Sequence, residues 1–307
     1  MDFKQLQAFV SVAEQGSFTR AAQQLNVAQP ALSRLVRALE LELRQTLLER
    51  NGRGARPTLA GKRLLDHARG ILHQLDRAQE DMAQLRGGQT GSIALGLPPS
   101  VARVLTVPLT RAFRAELPAV HLTIREDLSM ALQDGLQQGR LDVALLYHPP
   151  QSEELMATAL LQEPLVQVEA RPAGLIQDPP PPPLSLSDLA KLPLIIPSRP
   201  NAIRMKVESE LMALALEPQI AMEIDGVAAI LDLVADGSGH AVLTHNAVTK
   251  SIRPSAYSVR PLLGPHGQSL TITLWMAVSQ NRISTQAQQV SMALIREQVQ
   301  THLATNG

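Results

Sequence analysis

The 307-residue chain contains no cysteine. That excludes a disulfide framework, a thiolate nucleophile and any Cys-ligated metal site. Aromatic residues are nearly absent: one Trp, two Tyr and four Phe. None lies among the arginines that closely follow Phe18, so stacking on single-stranded DNA or RNA bases is poorly served. No apolar run approaches a membrane span, and Met1-Asp2-Phe3-Lys4 does not open a basic stretch leading into an apolar one. A cytoplasmic chain with no membrane partner is expected. Net charge is zero, with 28 Lys/Arg against 28 Asp/Glu, but the charge is unevenly spread. From Arg20 to Arg69 there are ten basic and four acidic residues, a local +6, which the remainder balances with −6. A basic module joined to an acidic one fits nucleic-acid binding at one end only.

Enzyme signatures are missing as well. Gly237-Ser238-Gly239 falls short of a Gly-x-Ser-x-Gly elbow. No Gly-x-x-x-x-Gly-Lys-Ser/Thr loop occurs, and no Gly-x-Gly-x-x-Gly follows a strand. His240 and His245 are five apart, and His67 and His73 six apart, so neither pair suits a helical metal site. No enzyme activity, metal or cofactor is expected.

What is present is concentrated in residues 17–56. Ser17 is a good N-cap, and Phe18-Thr19-Arg20-Ala21-Ala22-Gln23-Gln24-Leu25 reads as a short helix. Asn26-Val27 breaks it, because Asn tolerates the left-handed backbone of a sharp turn. A second helix opens at Ala28-Gln29-Pro30, with the proline in the first turn, where a missing N–H costs nothing. Ala31, Leu32, Leu35, Val36, Leu39 and Leu43 fall on one side, and Gln29, Ser33, Arg34 and Arg37 on the other. Small residues at the crossing and a polar second helix make a helix-turn-helix whose Gln can pair with adenine and whose Arg can pair with guanine. An ordinary helical hairpin with a solvated Arg face is the alternative on pattern alone.

Phe9, Gly16-Ser17-Phe18-Thr19, Ala21-Ala22, Leu25, Gln29-Pro30-Ala31-Leu32-Ser33 and Leu39-Glu40 resemble the N-terminal domain of LysR-type transcriptional regulators. Leu47-Leu48-Glu49-Arg50 and Pro57-Thr58-Leu59-Ala60-Gly61 resemble the wing that follows it, with Leu48 standing where the family usually has Phe. Leu keeps that position apolar, so the wing should still pack. The resemblance makes the Gly- and Arg-rich loop 51–57 the wing tip, with Arg53 and Arg56 contacting phosphate or the minor groove; a solvated turn is the alternative. It implies double-stranded DNA as partner and Ser17, Thr19, Gln29, Pro30, Ser33, Arg34, Arg37, Arg53 and Arg56 as DNA-binding residues. RNA polymerase is a further implied partner.

The rest of the chain fits this frame. Phe3, Leu6, Phe9, Val10 and Ala13 make the core stripe of a first helix. From Thr58 to Arg86 a long helix carries a heptad seam of Leu64, Ala68, Ile71, Leu75, Ala78, Met82 and Leu85. The seam either pairs with a second copy, giving a homodimer or homotetramer, or lies on its own domain; the family implies antiparallel pairing. Gly87-Gly88-Gln89-Thr90-Gly91 is a hinge, after which strands and helices alternate. Expected strands are 92–97, 120–125, 141–146, 164–168, 194–196, 219–224, 241–243 and 270–278. Expected helices are 101–117, 130–138, 202–216, 227–235 and 284–303. The run Asp178 to Pro183 is an extended surface loop. The fold class is therefore α + α/β: winged helix-turn-helix 1–58, linker helix 59–88, and a two-lobed α/β effector domain 89–307 resembling periplasmic binding proteins. Lobe I takes about 92–163 and 268–307, and lobe II about 164–267.

Ligands of open α/β sheets sit beyond the carboxyl ends of strands, near helix N-termini. Ser100, Ser129, Ser198, Asn201 and Thr244 fall at such junctions, and Arg204 lies just inside one. Matching them to the family pattern places them around its inducer cleft. Helix N-termini with hydroxyls favour a small anion such as an organic acid, although Ser and Thr cap helices everywhere. Glu126 and Asp127, just before Ser129, could repel that anion or hold an internal salt bridge. Pro108-Leu109, Arg114 to Pro118 and Gly139 to Tyr147 resemble the nitrogen-assimilation-control branch of the family, whose members can act without an inducer. A solute-binding protein without gene control is a further alternative, which would need export.

Overall fold

The computed structural model describes the chain except for residues 52–53, 85–90, 151, 172–180, 281–285 and 305–307. Arg53, the seam residue Leu85, hinge residues 87–90, the Asp178–Pro180 part of the proline run and the expected helix start at Ser284 lie outside the described residues. The chain divides into two compact units, Met1–Gly91 with Gln138–Arg140, and Ser92–Gln137 with Leu141–Gly307.

In the first unit, α1 (Phe3–Gln15) opens with a capping box: Asp2 accepts from the Gln5 N–H, and Gln5 returns a bond to the Asp2 N–H. Helix α2 (Phe18–Gln24) is capped by Ser17. The turn beyond it uses Asn26 at φ +51°, and the Val27 N–H closes on the Ala22 carbonyl. Helix α3 (Gln29–Leu43) carries Pro30 in its first turn. Phe9, Val12, Ala21, Leu32, Val36 and Leu39 form the shared core, while Leu43, expected on the inner side, is exposed. Strands β1 (Leu48–Asn51) and β2 (Gly54–Pro57) pair antiparallel as the wing. Leu48 is 5% exposed, so the smaller apolar residue does anchor the wing in this core.

Helix α4 (Leu59–Gln84) starts where the Thr58 hydroxyl accepts from the Gly61 N–H. Its seam splits in two. Leu64 and Ala68 belong to the unit's own core. Ile71 and Met82 are 43% and 56% exposed, so the apolar stripe continues beyond the surface it covers in its own chain.

The second unit runs β3 (Gly91–Leu97), α5 (Pro99–Glu116), β4 (Val120–Glu126), α6 (Ser129–Gln137), β5 (Val143–Leu146) and β6 (Leu155–Ala170). It continues with β7 (Leu184–Ser185), α7 (Leu186–Leu189), β8 (Leu194–Ile196), α8 (Ala202–Ala213), β9 (Ile220–Glu223) and α9 (Val227–Ala235). The last elements are β10 (Ala241–Thr244), α10 (His245–Thr249), β11 (Tyr257–Leu263), β12 (Thr271–Ser279) and α11 (Gln286–Leu303). The main sheet runs β4-β3-β5-β12-β6-β11-β7, with β10 also on β6, and β8-β9 form a small second sheet.

The pairings β3–β5, β8–β9 and β7–β11 are parallel, as strand–helix alternation leads one to expect. The two long crossing strands add antiparallel pairings. Residues 155–164 of β6 pair with β12, and residues 165–170 pair with β10 on one edge and β11 on the other. One strand thus joins both sets of pairings, changing partners between Pro164 and Leu165. No described helix is long and apolar enough to cross a membrane.

Candidate functional site: a polar helix face and an acidic cleft

Two places concentrate polar chemistry. The first is the outer side of α3. Leu32, Val36 and Leu39 are buried, which turns Gln29, Pro30, Arg34 and Arg37 to solvent, with Ser33 half-buried beside them. The Gln29 amide donates to the Ser33 hydroxyl at 3.0 Å, one helical turn apart. Among the described residues no carboxylate pairs with Arg34, Arg37 or Arg56, and all three are exposed. Ser17 is occupied locally, its hydroxyl accepting from the Arg20 N–H at 3.4 Å, and Thr19 is exposed. Guanidiniums free of carboxylates beside an amide on an exposed helix face suit phosphate and base-edge contacts.

The second place is a cleft of about 410 Å³ within the second unit. The ends of β3, β4 and β5 line it from lobe I, and the heads of α8 and α9 with β10 line it from lobe II. Ser100, Ser129 and Asn201 are among its walls. Ser129 is buried and accepts from the Tyr147 N–H at 3.2 Å. Asn201 caps α8, accepting from the N–H groups of Ile203 and Arg204 at 2.9 and 3.2 Å.

The other expected residues do not line it. Ser198 donates to both oxygens of Asp225 at 2.7 Å. Thr244 is buried, its side chain hydrogen-bonded to Tyr147. Arg204 is buried and turned away, held by Glu208 at 2.8 Å and Glu223 at 3.0 Å, and it donates to the Pro197 carbonyl at 3.0 Å. Arg199 is likewise taken by Glu208 at 2.9 Å. Glu126 and Asp127 are at the cleft, and neither forms a salt bridge with a described residue. Asp225 faces them from the other lobe. Among the described residues the cleft is thus lined by three carboxylates and no Lys or Arg. An anion there would lack the counter-charge that Arg204 was expected to supply.

The floor is Tyr147, which sequence reasoning did not single out. Its hydroxyl donates to Glu163 Oε2 at 2.8 Å and lies 2.8 Å from Ser100 Oγ. A phenol has one proton, so Ser100 must be the donor to it. Asn246 donates to Glu163 Oε1 at 2.9 Å and to the Leu303 carbonyl at 2.7 Å. Burial without a cation pushes the Glu163 carboxyl above its usual range, an effect its two donors partly oppose. Burial and the adjacent Glu163 hold the Tyr147 phenol well above its own range, so it stays a donor.

Two family models cover nearly the whole chain: a bacterial regulatory helix-turn-helix protein of the lysR family over residues 3–62, and the LysR substrate binding domain over 86–300. The chain belongs to the LysR family of transcriptional regulators. This LysR-type regulator is 34% identical over 296 residues to the nitrogen assimilation regulatory protein nac of Escherichia coli (strain K12), spanning 96% of this chain and 94% of that one. It is 35% identical over 298 residues to the nac protein of Klebsiella aerogenes, with the same shares. Among solved structures, full-length CbnR complexed with its target DNA matches at TM-score 0.70 and 24% identity, over 98% of this chain and 99% of that one. In the LysR-type regulator the polar face of α3 lies inside the helix-turn-helix match, and the cleft lies inside the substrate-binding match. Asp225 offered a signal that was missed, since an acid at a strand-to-helix junction is placed as Glu126-Asp127 are.

Proposed function

We propose that this LysR-type regulator binds dyad-symmetric promoter DNA as a dimer or tetramer, in the cytoplasm, and that a small ligand in the cleft alters that binding. Gln29, Ser33 and Arg34 read base edges. Arg37, Arg53 and Arg56 hold phosphates, with Ser17, Thr19 and Pro30 at the margins of the contact. The winged helix occupies 1–58, the linker helix 59–88 and the effector domain 89–307. RNA polymerase is met at the promoter. A regulator of this type that needs no ligand is the alternative, and the open cleft of about 410 Å³ favours a ligand.

The observation that carries the DNA reading is the exposed set Gln29, Arg34 and Arg37, whose guanidiniums pair with no carboxylate among the described residues, on a helix whose opposite side is core. Self-pairing rests on the uncovered half of the α4 seam, Ile71 to Met82. The relatives' names supply the regulator class, and a map of bound genomic fragments supplies the target genes. In gel shifts at two salt concentrations, Arg34→Ala loses about 1–3 kcal/mol of preference for the cognate site. Equal loss on random DNA assigns Arg34 to the backbone alone and overturns its base-reading role.

A further inference from the structure

We propose that the cleft takes a ligand carrying a protonated amine on a short apolar body, and rejects the carboxylate of matching shape. This rests on the reading of the cleft as the effector site and adds the ligand's chemical class.

Three observations converge on it. Glu126 and Asp127 approach from lobe I and Asp225 from lobe II, so carboxylates stand on both sides of one opening. Asp225 is kept ionised by the Ser198 hydroxyl and N–H, which hold its carboxyl below the usual range. The two arginines that flank Asn201 on the lobe II side are spent: Arg204 on Glu208 and Glu223, and Arg199 on Glu208.

Helix N-termini would ordinarily draw an anion here. The chain answers two of them with its own acceptors. Asp127 takes the Leu128 N–H at 2.8 Å at the head of α6, and Asn201 takes two N–H groups at the head of α8. The heads of α5 and α9 have no side-chain cap. They leave room for the carboxylate of a zwitterion, so a simple amine and an α-amino acid share the recognised group. Leu128, Ile203, Ile230 and Val242 supply apolar wall for the ligand's body.

The test is calorimetric titration of the full-length chain with three matched probes: pentylamine, norleucine and hexanoate. Pentylamine, norleucine or both bind, and hexanoate does not. Norleucine alone assigns the zwitterion; equal binding of both assigns the ammonium alone. Glu126→Gln, at a carboxylate with no side-chain bond or ion pair among the described residues, weakens binding by about threefold to fivefold, as does raising salt to screen the acids. Binding of hexanoate without the amines overturns the inference and leaves the cleft as an effector site. Binding of none of the three overturns the inference too, and operator binding that still depends on Arg34 would show that only the ligand reading had failed.

Discussion

Replacing Tyr147 with Phe removes one oxygen from the cleft floor and leaves every apolar contact of the ring. What is lost is the proton given to Glu163 Oε2 at 2.8 Å and the acceptor for Ser100 at 2.8 Å. A hydrogen bond to a charged, buried acceptor is worth about 1.5–3 kcal/mol. Ser100 borders the cleft and can turn to water, so its share is small. The second unit therefore loses about 2–3 kcal/mol, or roughly 4–12 °C of melting temperature for a domain of this size. The pH dependence is the sharper readout. Glu163 has its folded pKa raised by burial. Its stabilising contribution is full below the unfolded value and is lost as pH rises through the folded one. Tyr147→Phe withdraws a donor that opposes this rise, so the variant's deficit grows from pH 5 to pH 8. Glu163→Gln does the reverse: it keeps an acceptor for Asn246, gains on the wild type at pH 8, and loses that advantage toward pH 5. Circular-dichroism melts at three pH values decide it. A deficit below 0.5 kcal/mol that does not change with pH (about the scatter of surface substitutions) would mean that the phenol does not support a buried charge.

Two further substitutions test the first unit. A Cβ on Gly61 would stand 2.0 Å from the Leu47 carbonyl oxygen; Gly61→Ala gains about 0.5–1 kcal/mol of helix propensity but costs more in displaced backbone, so its net effect is destabilising by about 1–2 kcal/mol in chemical melts, and a stabilised variant would contradict the packing of α4 on the wing. Ile71→Glu, on the uncovered part of the seam, lowers the assembled mass in sedimentation without unfolding the chain, whereas an unchanged mass would remove α4 from the interface.

How much of this was legible in the sequence depended on whether the cause was local. The helix-turn-helix was legible because its determinants sit within a few residues of one another: a capping serine, an Asn able to take positive φ, a proline in a first turn and apolar residues at helical spacing. The first half of β6 was not. Leu155-Met156-Ala157-Thr158-Ala159-Leu160-Leu161-Gln162-Glu163 is mostly helix-forming, and only pairing with β12, more than a hundred residues later, makes it a strand. Strand β11 carries Pro261, which ordinarily argues against a strand inside a sheet.

The cleft divides along the same line. Its helix-end hydroxyls were legible because caps are local, and Ser100, Ser129 and Asn201 do line it. Its charge was not, because Glu126 and Asp225 are about a hundred residues apart and line one cleft, from opposite sides, only through the fold. Arg204 shows the difference most clearly. Counted alone it offered the cleft a positive charge, yet Glu208 lies four residues further along the same helix, the spacing at which an acid reaches its base. Once that pair is drawn, the guanidinium is neutralised before any ligand arrives, and Glu126, Asp127 and Asp225 set the sign of the opening. The preference for an amine follows from which partner each charged side chain already has, and the number of arginines in the neighbourhood carries no weight against it.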